Sequence, residues 1–317
     1  MLNLTETAGN AVEQDFYGKL VAIVSEDRVR RNELLARHTT FRIGGPADYF
    51  VCADKEQFAS VLALCRNEGM PYFVIGNGSN LLVSDAGIRG VVLRLDRADS
   101  ILFYPEKDRL TARVGAGMLL SMFAKEAASR GAAGFAFAAG IPGSVGGAVF
   151  MNAGAYGGEI KDFLVSVRAV GPGGEIVTLT AGELKLSYRF SILQKEEFYV
   201  LDADFSFPLG DAVEECRKIE ELAARRREKQ PLEYPSAGST FKRPEGYFSG
   251  KLIMDAGLAG LRVGGAKVSE KHCGFIVNDG NATAGDVMGL IAKIQDTVQE
   301  KYSVFLETEI RMLGEFF

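Results

Sequence analysis

The chain of 317 residues is poor in histidine and cysteine, the residues that hold zinc and similar metals or form disulfides. It has two histidines, His38 and His272, and its four cysteines are scattered with no CxxC pair, at Cys52, Cys65, Cys216 and Cys273. With so few ligands we expect no metal site, and we interpret His272–Cys273 as an ordinary loop pair. Scattered thiols of this kind are typical of free cysteines in a reducing cytoplasm.

Long apolar runs and an excess of positive charge are also missing. No run approaches the roughly 18 apolar residues that a membrane helix needs. A net charge of −5, with 24% charged residues, argues against a nucleic-acid-binding protein. Residues 1–7 lack the basic and then apolar pattern of a signal peptide. We therefore expect a cytoplasmic protein without a membrane or nucleic-acid partner, and the sequence indicates no protein partner.

A hydrophobic content of 47% predicts a globular chain of two or three domains, and the element pattern predicts the α+β class. Ala47–Cys52 predicts a strand, and Asp54 is a good cap for a helix that buries Phe58. Tyr72–Ile75 then predicts a buried strand that runs into Gly76–Asn80. A glycine loop at the end of a strand is a usual place for a ligand in an α/β sheet.

The remaining periodicity predicts further elements along the chain. We expect the helix over 211–228 to face inward with Val213, Cys216, Ile219 and Ala223. A helix capped by Thr283 follows later. The other predicted elements are a helix over 11–37, strands over 81–84 and 91–95, a hairpin over 100–114, a helix over 118–130, a hairpin over 165–179, and strands over 198–205 and 304–310.

The segment 138–159 is unusually rich in glycine. Glycine lets the backbone approach a ligand closely and adopt positive φ, and consecutive amides in such turns can hold anions. Together with the loop 76–80, the segment predicts one elongated ligand with a phosphate-bearing part; the alternative is a set of tight turns. A Rossmann dehydrogenase is disfavoured because GxGxxG followed by an acidic residue is absent. The glycines are Gly140, Gly143, Gly146, Gly147, Gly154, Gly157 and Gly158.

Three other groups of residues could carry chemistry, and each has a plain structural alternative. In Pro235–Pro244, Ser239 fits a proton relay or an ordinary turn. Arg189, between aromatic residues, fits a surface cation–π contact or a carboxylate clamp. In a strand, Glu307 and Glu309 point to the same face, as a solvent-facing row or as part of a site. Two histidines in separate contexts disfavour a Ser-His-Asp hydrolase.

Seven motifs in order also carry a family resemblance: Thr39–Ala47, Ile75–Val83, Gly140–Val149, Met151–Glu159, Tyr188–Ser191, Ala237–Pro244 and Leu306–Glu309. From residue 38 to about residue 314 the chain resembles the UDP-N-acetylenolpyruvoylglucosamine reductases, also called UDP-N-acetylmuramate dehydrogenases. It lacks the tyrosine-bearing insertion of the longer subtype, so it is similar to the shorter second subtype. The group that covers the uridine is therefore open.

The resemblance implies a three-domain flavoprotein. Two α+β domains of the vanillyl-alcohol-oxidase/PCMH type would hold FAD non-covalently, and a third α+β domain would close over the substrate. The first FAD-binding subdomain would comprise residues 1–95 with the C-terminal strand 303–317, the second residues 96–208, and the substrate domain residues 209–302. The last strand would return Glu309 to the first domain.

The resemblance also implies the reaction. NADPH would reduce FAD, hydride would pass to C3 of the enolpyruvyl group, and a proton would reach C2, giving UDP-N-acetylmuramate for peptidoglycan. Ser239 would be the general acid, with Lys242 or Arg189 supplying a positive field, and Arg189 and Glu309 would stabilise the intermediate. Cofactor contacts would come from Arg42, Gly44, Gly76, Asn77, Gly78, Ser79, Asn80, Gly140, Gly143, Ser144, Gly146, Gly147, Asn152 and Gly154. Substrate contacts would come from Tyr188, Lys229, Lys242, Arg243 and His272.

Two positions depart from some members of the family. Arg243 stands where some have Asn, so a substrate contact there would be ionic, and His272 stands where some have Gln. An FAD oxidase on the same fold and a non-enzymatic flavin-binding module are the alternatives. Both keep the glycine loops, but neither needs Ser239, Arg189 and Glu309 together.

Overall fold

The computed structural model describes residues 15–96 and 101–316. Within these ranges the strands form three sheets of four or five strands and two two-stranded pairs. The helices are α1 (residues 15–24), α2 (Lys55–Asn67), α3 (Leu120–Ser129), α4 (Val145–Phe150), α5 (Ala212–Lys229), α6 (Ser249–Asp255) and α7 (Ala284–Tyr302). The strands are β1 (Val29–Leu34), β2 (Pro46–Ala53), β3 (Tyr72–Ile75), β4 (Leu81–Val83), β5 (Ile88–Leu95), β6 (Ile101–Pro105), β7 (Arg109–Gly115), β8 (Gly154–Ala155), β9 (Gly158–Glu159), β10 (Leu164–Val170), β11 (Ile176–Thr180), β12 (Tyr199–Pro208), β13 (Ser236–Ser239), β14 (Arg262–Val263), β15 (Ala266–Val268), β16 (Phe275–Asn278) and β17 (Arg311–Leu313).

The first sheet has the order β1-β2-β5-β3, with β5 parallel to both β2 and β3. Helix α2 packs on it through Phe58, Val61 and Leu62, which are fully buried. The Asp54 side chain accepts a hydrogen bond from the Gln57 N–H in a capping box, which confirms the predicted start of this helix. Parallel strands bring the end of β3, and hence the loop 76–80, to one edge of the sheet.

The predicted helix over 11–37 is wrong beyond residue 24, and residues 11–14 lie outside the described ranges. Phe16, Leu20 and Val24 form a buried stripe on the helical part, whereas Ile23 is only half-buried. Ser25 then has φ 74, which interrupts the helix, and β1 pairs antiparallel with β2. The backbone of this segment forms hydrogen bonds to the edge strand β2 instead of bonds within a helix. Tertiary pairing therefore overrides the local helical pattern.

The predicted buried strand Tyr72–Ile75 is a strand, but three of its four residues are half-exposed. The strand lies at the edge of the sheet, and all four residues line the large cavity described below. Its apolar side chains are therefore partly available to a ligand.

The second sheet has the order β11-β10-β12-β7-β6, and all its neighbouring strands are antiparallel. The two predicted hairpins, β6–β7 and β10–β11, are confirmed. Phe123 of α3 packs against Phe205 and Phe207 of β12. Strands β8 and β9 form a small hairpin at the end of the glycine-rich segment 138–159. The second glycine loop is the part of this segment before the hairpin, residues 140–147.

Helix α5 packs against α3 and residues 136–140. The predicted inward face is wrong: Val213 is 80% exposed, and Cys216, Ile219 and Ala223 are half-buried. The buried residue of this helix is Glu215, whose Oε2 accepts a hydrogen bond from the Gly134 N–H. A charged side chain that finds a backbone donor can occupy the inner face, which an apolar pattern does not reveal.

The third sheet has the order β13-β16-β15-β14 and is covered by α6 and α7. Helix α7 starts at the predicted cap Thr283, which forms a capping box with Asp286, and it buries Val287, Leu290 and Ile294. The Asp85 carboxylate also accepts hydrogen bonds from the first N–H groups of α7, which ties this helix to the loop before β5.

The last strand lies further along the chain than predicted, at Arg311–Leu313, where it pairs parallel with β4. Residues 304–310 lie outside any sheet, apart from one bridge between Thr308 and Phe241. Leu306 and Ile310 anchor this segment in the hydrophobic cluster that α6 and α7 form with the third sheet. Glu309 lies between these two anchors.

Candidate active site

A cavity of about 1200 Å³ lies between the three larger sheets. Its wall includes strand β3, the two glycine loops, the turn that contains Arg189, strand β13 and the segment before β17. Elements from all parts of the described chain therefore meet around one space. Its size and its bare backbone are suited to an elongated ligand.

The first glycine loop has a conformation that depends on Gly78. Its φ is 65, and a Cβ there would overlap the carbonyl oxygen of His38. The Thr40 N–H donates to the Gly78 carbonyl over 3.2 Å, which fixes the loop against the segment before β2. A side chain at this position is excluded by both backbone strain and space.

The two glycine loops touch each other. A Cβ on Gly76 would overlap Ser144 Oγ, and Asn77 Nδ2 donates to the Pro142 carbonyl over 2.5 Å. Gly143, by contrast, has room for a Cβ, whose nearest neighbour would be Ser79 Oγ at 3.6 Å, an ordinary contact distance. The loops thus form a continuous wall of exposed backbone, as a flat cofactor with a phosphate-bearing part requires.

Most of the predicted cofactor contacts line the cavity: Arg42, Gly76, Asn77, Gly78, Ser79, Asn80, Gly140, Gly143, Ser144, Gly146, Gly147 and Gly154. Gly44 does not line it. Its φ is 141, and a Cβ there would lie 2.8 Å from the Cβ of Val83, so this glycine serves close packing.

Asn152 does not line the cavity either, and it is fully buried. Its Nδ2 donates to the Ser187 carbonyl over 2.9 Å and to Glu159 Oε2 over 3.1 Å, while its Oδ1 accepts from the Lys161 N–H over 2.9 Å. The side-chain amide is thus engaged with the protein, and the cofactor contact of Asn152 stays a prediction.

Ser239, Arg189 and Glu309 come together in the cavity. Arg189 Nε donates to Glu309 Oε1 over 2.6 Å, and its Nη2 donates to the Gly154 carbonyl over 3.1 Å. Ser239 ends β13, and the carbonyl of the next residue, Thr240, accepts from the Glu309 N–H over 2.8 Å. This backbone bond therefore holds the segment that carries Ser239 next to the segment that carries Glu309.

Burial raises the pKa of the Glu309 carboxyl above its ordinary value of 4.5. The positive charges of Arg189 and Lys242 act in the opposite direction and only partly offset burial. Glu309 is therefore able to hold a proton at a higher pH than an exposed glutamate.

The geometry bears on the alternatives that the sequence left open for Arg189 and the two glutamates. Arg189 Cζ lies 5.1 Å from the Tyr188 ring centroid while its Nε binds a carboxylate, so it makes both kinds of contact. Glu307 and Glu309 do not share one environment. Glu307 is exposed and pairs with Lys242, whereas Glu309 faces the cavity.

The five predicted substrate residues lie outside the wall of the cavity: Tyr188, Lys229, Lys242, Arg243 and His272. The Tyr188 hydroxyl accepts from the Arg243 N–H over 3.2 Å, and the Arg243 guanidinium lies over the Phe248 ring. The half-buried His272 accepts from the Gly274 N–H at Nδ1, and burial lowers its pKa.

Sequence reasoning missed several residues of the cavity wall, among them Gln194, Arg226 and Arg311. Burial lowers the pKa of both arginines. Arg311 follows Glu309 at the two-residue spacing of a strand, which was an available signal. Arg226 sits in a highly charged helix, where nothing in the sequence distinguishes it from its neighbours.

The described ranges contain no cluster of three or more His, Cys, Asp or Glu that could hold a metal ion. No helix within residues 15–96 and 101–316 has both the length and the apolar character to cross a membrane. All four cysteines are free.

Two family models match the chain. An FAD-binding domain matches residues 46–180, which include both glycine loops. The C-terminal domain of UDP-N-acetylenolpyruvoylglucosamine reductase matches residues 230–313, which include Ser239 and Glu309. The glycine-lined wall fits the cofactor of the first model, and the predicted FAD-binding α+β fold is confirmed.

Curated proteins and a solved structure agree with these matches. The UDP-N-acetylenolpyruvoylglucosamine reductase of Lachnoclostridium phytofermentans is 57% identical, over 94% of this chain and 96% of its own length. That of Caldanaerobacter subterraneus subsp. tengcongensis is 50% identical, over 94% and 97%. The crystal structure of the enzyme from Thermus caldophilus aligns with a TM-score of 0.76 at 37% identity, covering 90% of this chain and 99% of that one. The chain is therefore an FAD-dependent oxidoreductase that belongs to the UDP-N-acetylenolpyruvoylglucosamine reductase family.

Proposed function

We propose that the chain uses NADPH to reduce the enolpyruvyl group of UDP-N-acetylenolpyruvoylglucosamine, giving UDP-N-acetylmuramate for peptidoglycan. The observation that carries the proposal is the convergence of Ser239, Arg189 and Glu309 on the cavity that the glycine loops line. An oxidase or a flavin-binding module would need the loops but not this trio.

The exposed backbone of Gly76–Asn80 and Gly143–Gly147 would hold FAD, and Arg42 would add a positive charge at the same wall. When bound, and once reduced by NADPH, FAD supplies the hydride that adds to C3 of the enolpyruvyl group. The protein must then deal with the charge and the proton that this addition requires.

Hydride addition at C3 pushes negative charge through C2 into the substrate carboxylate. Arg189 is suited to stabilise this charge because its guanidinium is fixed by the Glu309 carboxylate and the Gly154 carbonyl, so little reorganisation is needed. Glu309, with its raised pKa, would contribute in its protonated form, as a hydrogen-bond donor to the developing oxyanion.

Ser239 would give its hydroxyl proton to C2. Its hydroxyl makes no hydrogen bond to any residue in the described part of the chain, so the O–H is free to turn toward the substrate. A serine needs a positive field to act as an acid, and Arg189 supplies one inside the cavity. Lys242, the other expected source, pairs with Glu307 outside the wall, so its contribution is the weaker of the two.

The remaining substrate contacts are proposed for the nucleotide part. Lys229 is exposed at the end of α5, three residues after Arg226, which lines the cavity. Residues at this spacing share one face of a helix, so Lys229 can reach a diphosphate near Arg226. Tyr188, Lys242, Arg243 and His272 lie in the segments adjoining Arg189 and Ser239 or packed near them, and would contact the sugar and uridine. With four free thiols, we place the enzyme in a reducing cytoplasm.

The test is an anaerobic flavin titration. The purified protein should show an oxidised flavin spectrum that bleaches with NADPH and returns when UDP-N-acetylenolpyruvoylglucosamine is added. Recovery that requires oxygen would instead support an oxidase. A protein that cannot take up FAD would contradict both hypotheses.

A further inference from the structure

Arg189 occupies an unfavourable backbone conformation. Its φ is 55, in the left-handed region that favours glycine. It lies in the turn 187–190, which is closed by the Phe190 N–H to the Ser187 carbonyl and by the reverse bond, both 3.1 Å. Such a conformation persists only when surrounding contacts impose it.

Gln194 contacts the turn at the carbonyl of Arg189 itself. Its Nε2 donates over 3.0 Å to that carbonyl and over 3.0 Å to the Phe150 carbonyl. Its Oε1 accepts from Arg311 Nη1 over 3.2 Å. One side-chain amide thus joins the backbone of Arg189 to a second arginine of the cavity wall.

Asn152 contacts the turn at its other end, where its Nδ2 donates to the Ser187 carbonyl over 2.9 Å. Its two other hydrogen bonds, to Glu159 and Lys161, fix the amide to the segment after the second glycine loop. Asn152 is fully buried, and its backbone φ is 41. Because these two hydrogen bonds go to residues outside the turn 187–190, they hold the amide in its orientation without help from the turn.

We propose that Asn152 and Gln194 are positioning residues that clamp the turn 187–190 from both ends and thereby aim the Arg189 guanidinium into the cavity. The clamp explains how a residue with a Cβ is kept at positive φ without glycine. The clamp itself does not depend on the proposed function. Its expected effect on reduction of the substrate does rest on that function. Without the clamp, the turn can relax and the guanidinium leaves the position fixed by Glu309 and Gly154.

Gln194 gives the sharper test because it is half-buried. Replacement of the fully buried Asn152 would instead leave its hydrogen-bond partners buried without a partner, which destabilises the fold. Gln194→Leu removes the hydrogen bonds to Arg189, Phe150 and Arg311, together with a long one of 3.9 Å to Met151 Sδ. Gln194→Glu keeps the shape and the contact with Arg311 but turns a carboxylate toward two carbonyls. Both variants should weaken the clamp, and Gln299→Leu, at an exposed position of α7, is the matched control.

The kinetic readout separates the two half-reactions of the flavin-loaded protein. In both Gln194 variants, flavin reduction by NADPH should change by less than about 3-fold, while reoxidation by substrate slows by roughly 10-fold to 100-fold, as expected for a displaced catalytic group. In an Arg189→Lys background the same substitution should slow reoxidation by less than about 3-fold, because the group that it positions is already lost. Equal losses in both half-reactions, or losses that multiply in the double variant, would overturn the proposal.

A second readout needs no substrate. The carboxyl ¹³C signal of Glu309, assigned with Glu309→Gln, reports its titration in the wild type and in Gln194→Leu. When Arg189 moves away, the Glu309 carboxyl loses the positive charge that opposes burial, so its pKa should rise further. An unchanged Glu309 titration would refute the clamp even if the wild-type protein fails to reduce the proposed substrate.

Discussion

Arg189 donates a hydrogen bond of 2.6 Å to Glu309, which lies 120 positions later in the sequence. The two side chains are 19% and 14% exposed, so the pair is shielded from most of the solvent. Arg189 comes from the turn 187–190, and Glu309 from the segment between α7 and β17. The pair therefore forms only when these two distant segments are folded against each other, and removal of Glu309 leaves the arginine charged in a partly buried site.

Arg189→Lys tests whether the planar guanidinium is required. A single ammonium cannot bind the Glu309 carboxylate and the Gly154 carbonyl in the same fixed directions. We expect reoxidation of the reduced flavin by substrate to fall by about 100-fold or more in stopped-flow measurements. The exposed Arg130→Lys serves as the control. Near-normal turnover of the Arg189 variant would refute its role as a charge-stabilising clamp.

Ser239→Ala tests the proton donor. Removal of a general acid costs about 10²-fold to 10⁴-fold in the step that uses it. We expect flavin reduction by NADPH to remain within about 3-fold of the wild type, and reoxidation by substrate to slow by that larger factor. Ser60→Ala, in the exposed part of α2, should change neither rate. Comparable losses in the two half-reactions of the Ser239 variant would remove the assignment.

The parts of the fold that the sequence predicted are those with local signals. The caps at Asp54 and Thr283 and the two hairpins depend on residues close together in the chain, and the structure has them where they were expected. The segment 25–37 and the position of the last strand depend on partners far away in sequence, namely β2 and β4. The periodicity of a segment does not show which strand elsewhere in the chain will pair with it.

The same division applies to the site. The high glycine content identified the two loops, because a backbone that closely approaches a ligand requires glycine at several positions. It could not separate Gly44, which packs against Val83, from the glycines that line the cavity. The role of Gln194 could not be predicted from the sequence. It donates to backbone carbonyls, which every residue type has, so its partners show no characteristic sequence pattern.

Gly147→Val tests the role of the second glycine loop in holding FAD. A Cβ there would lie 3.3 Å from Ser144 Oγ, and the larger side chain would project from a wall of the cavity that is now bare backbone. We expect the purified variant to contain less than about a tenth of the wild-type flavin, in line with the loss of a close backbone contact. The rate per bound flavin should stay near that of the wild type.

The control is Gly18→Val, because nothing lies within 4 Å of a Cβ at this position of α1. Its flavin content should match that of the wild type. Full flavin occupancy in the Gly147 variant would contradict the proposed role of the loop.

Glu309→Gln should change the pH dependence of stability. Because burial raises the folded-state pKa of Glu309 above its ordinary value of 4.5, the folded protein binds this proton more tightly than the unfolded chain. The stability that results is fully present below the unfolded pKa and is lost as the pH rises through the folded pKa. Glutamine does not titrate, so the variant lacks this component.

The measurement is urea unfolding of flavin-free wild type and Glu309→Gln between about pH 4 and about pH 8, a range that spans the ordinary glutamate pKa and values well above it. The difference in unfolding free energy should shift in favour of the variant as the pH rises. Glu307→Gln is the matched control, since it removes an exposed glutamate two residues away from Glu309. Parallel stability curves for the wild type and Glu309→Gln would show that Glu309 has no raised pKa, and a protonated Glu309 would then have no part in stabilising the charge formed at the substrate.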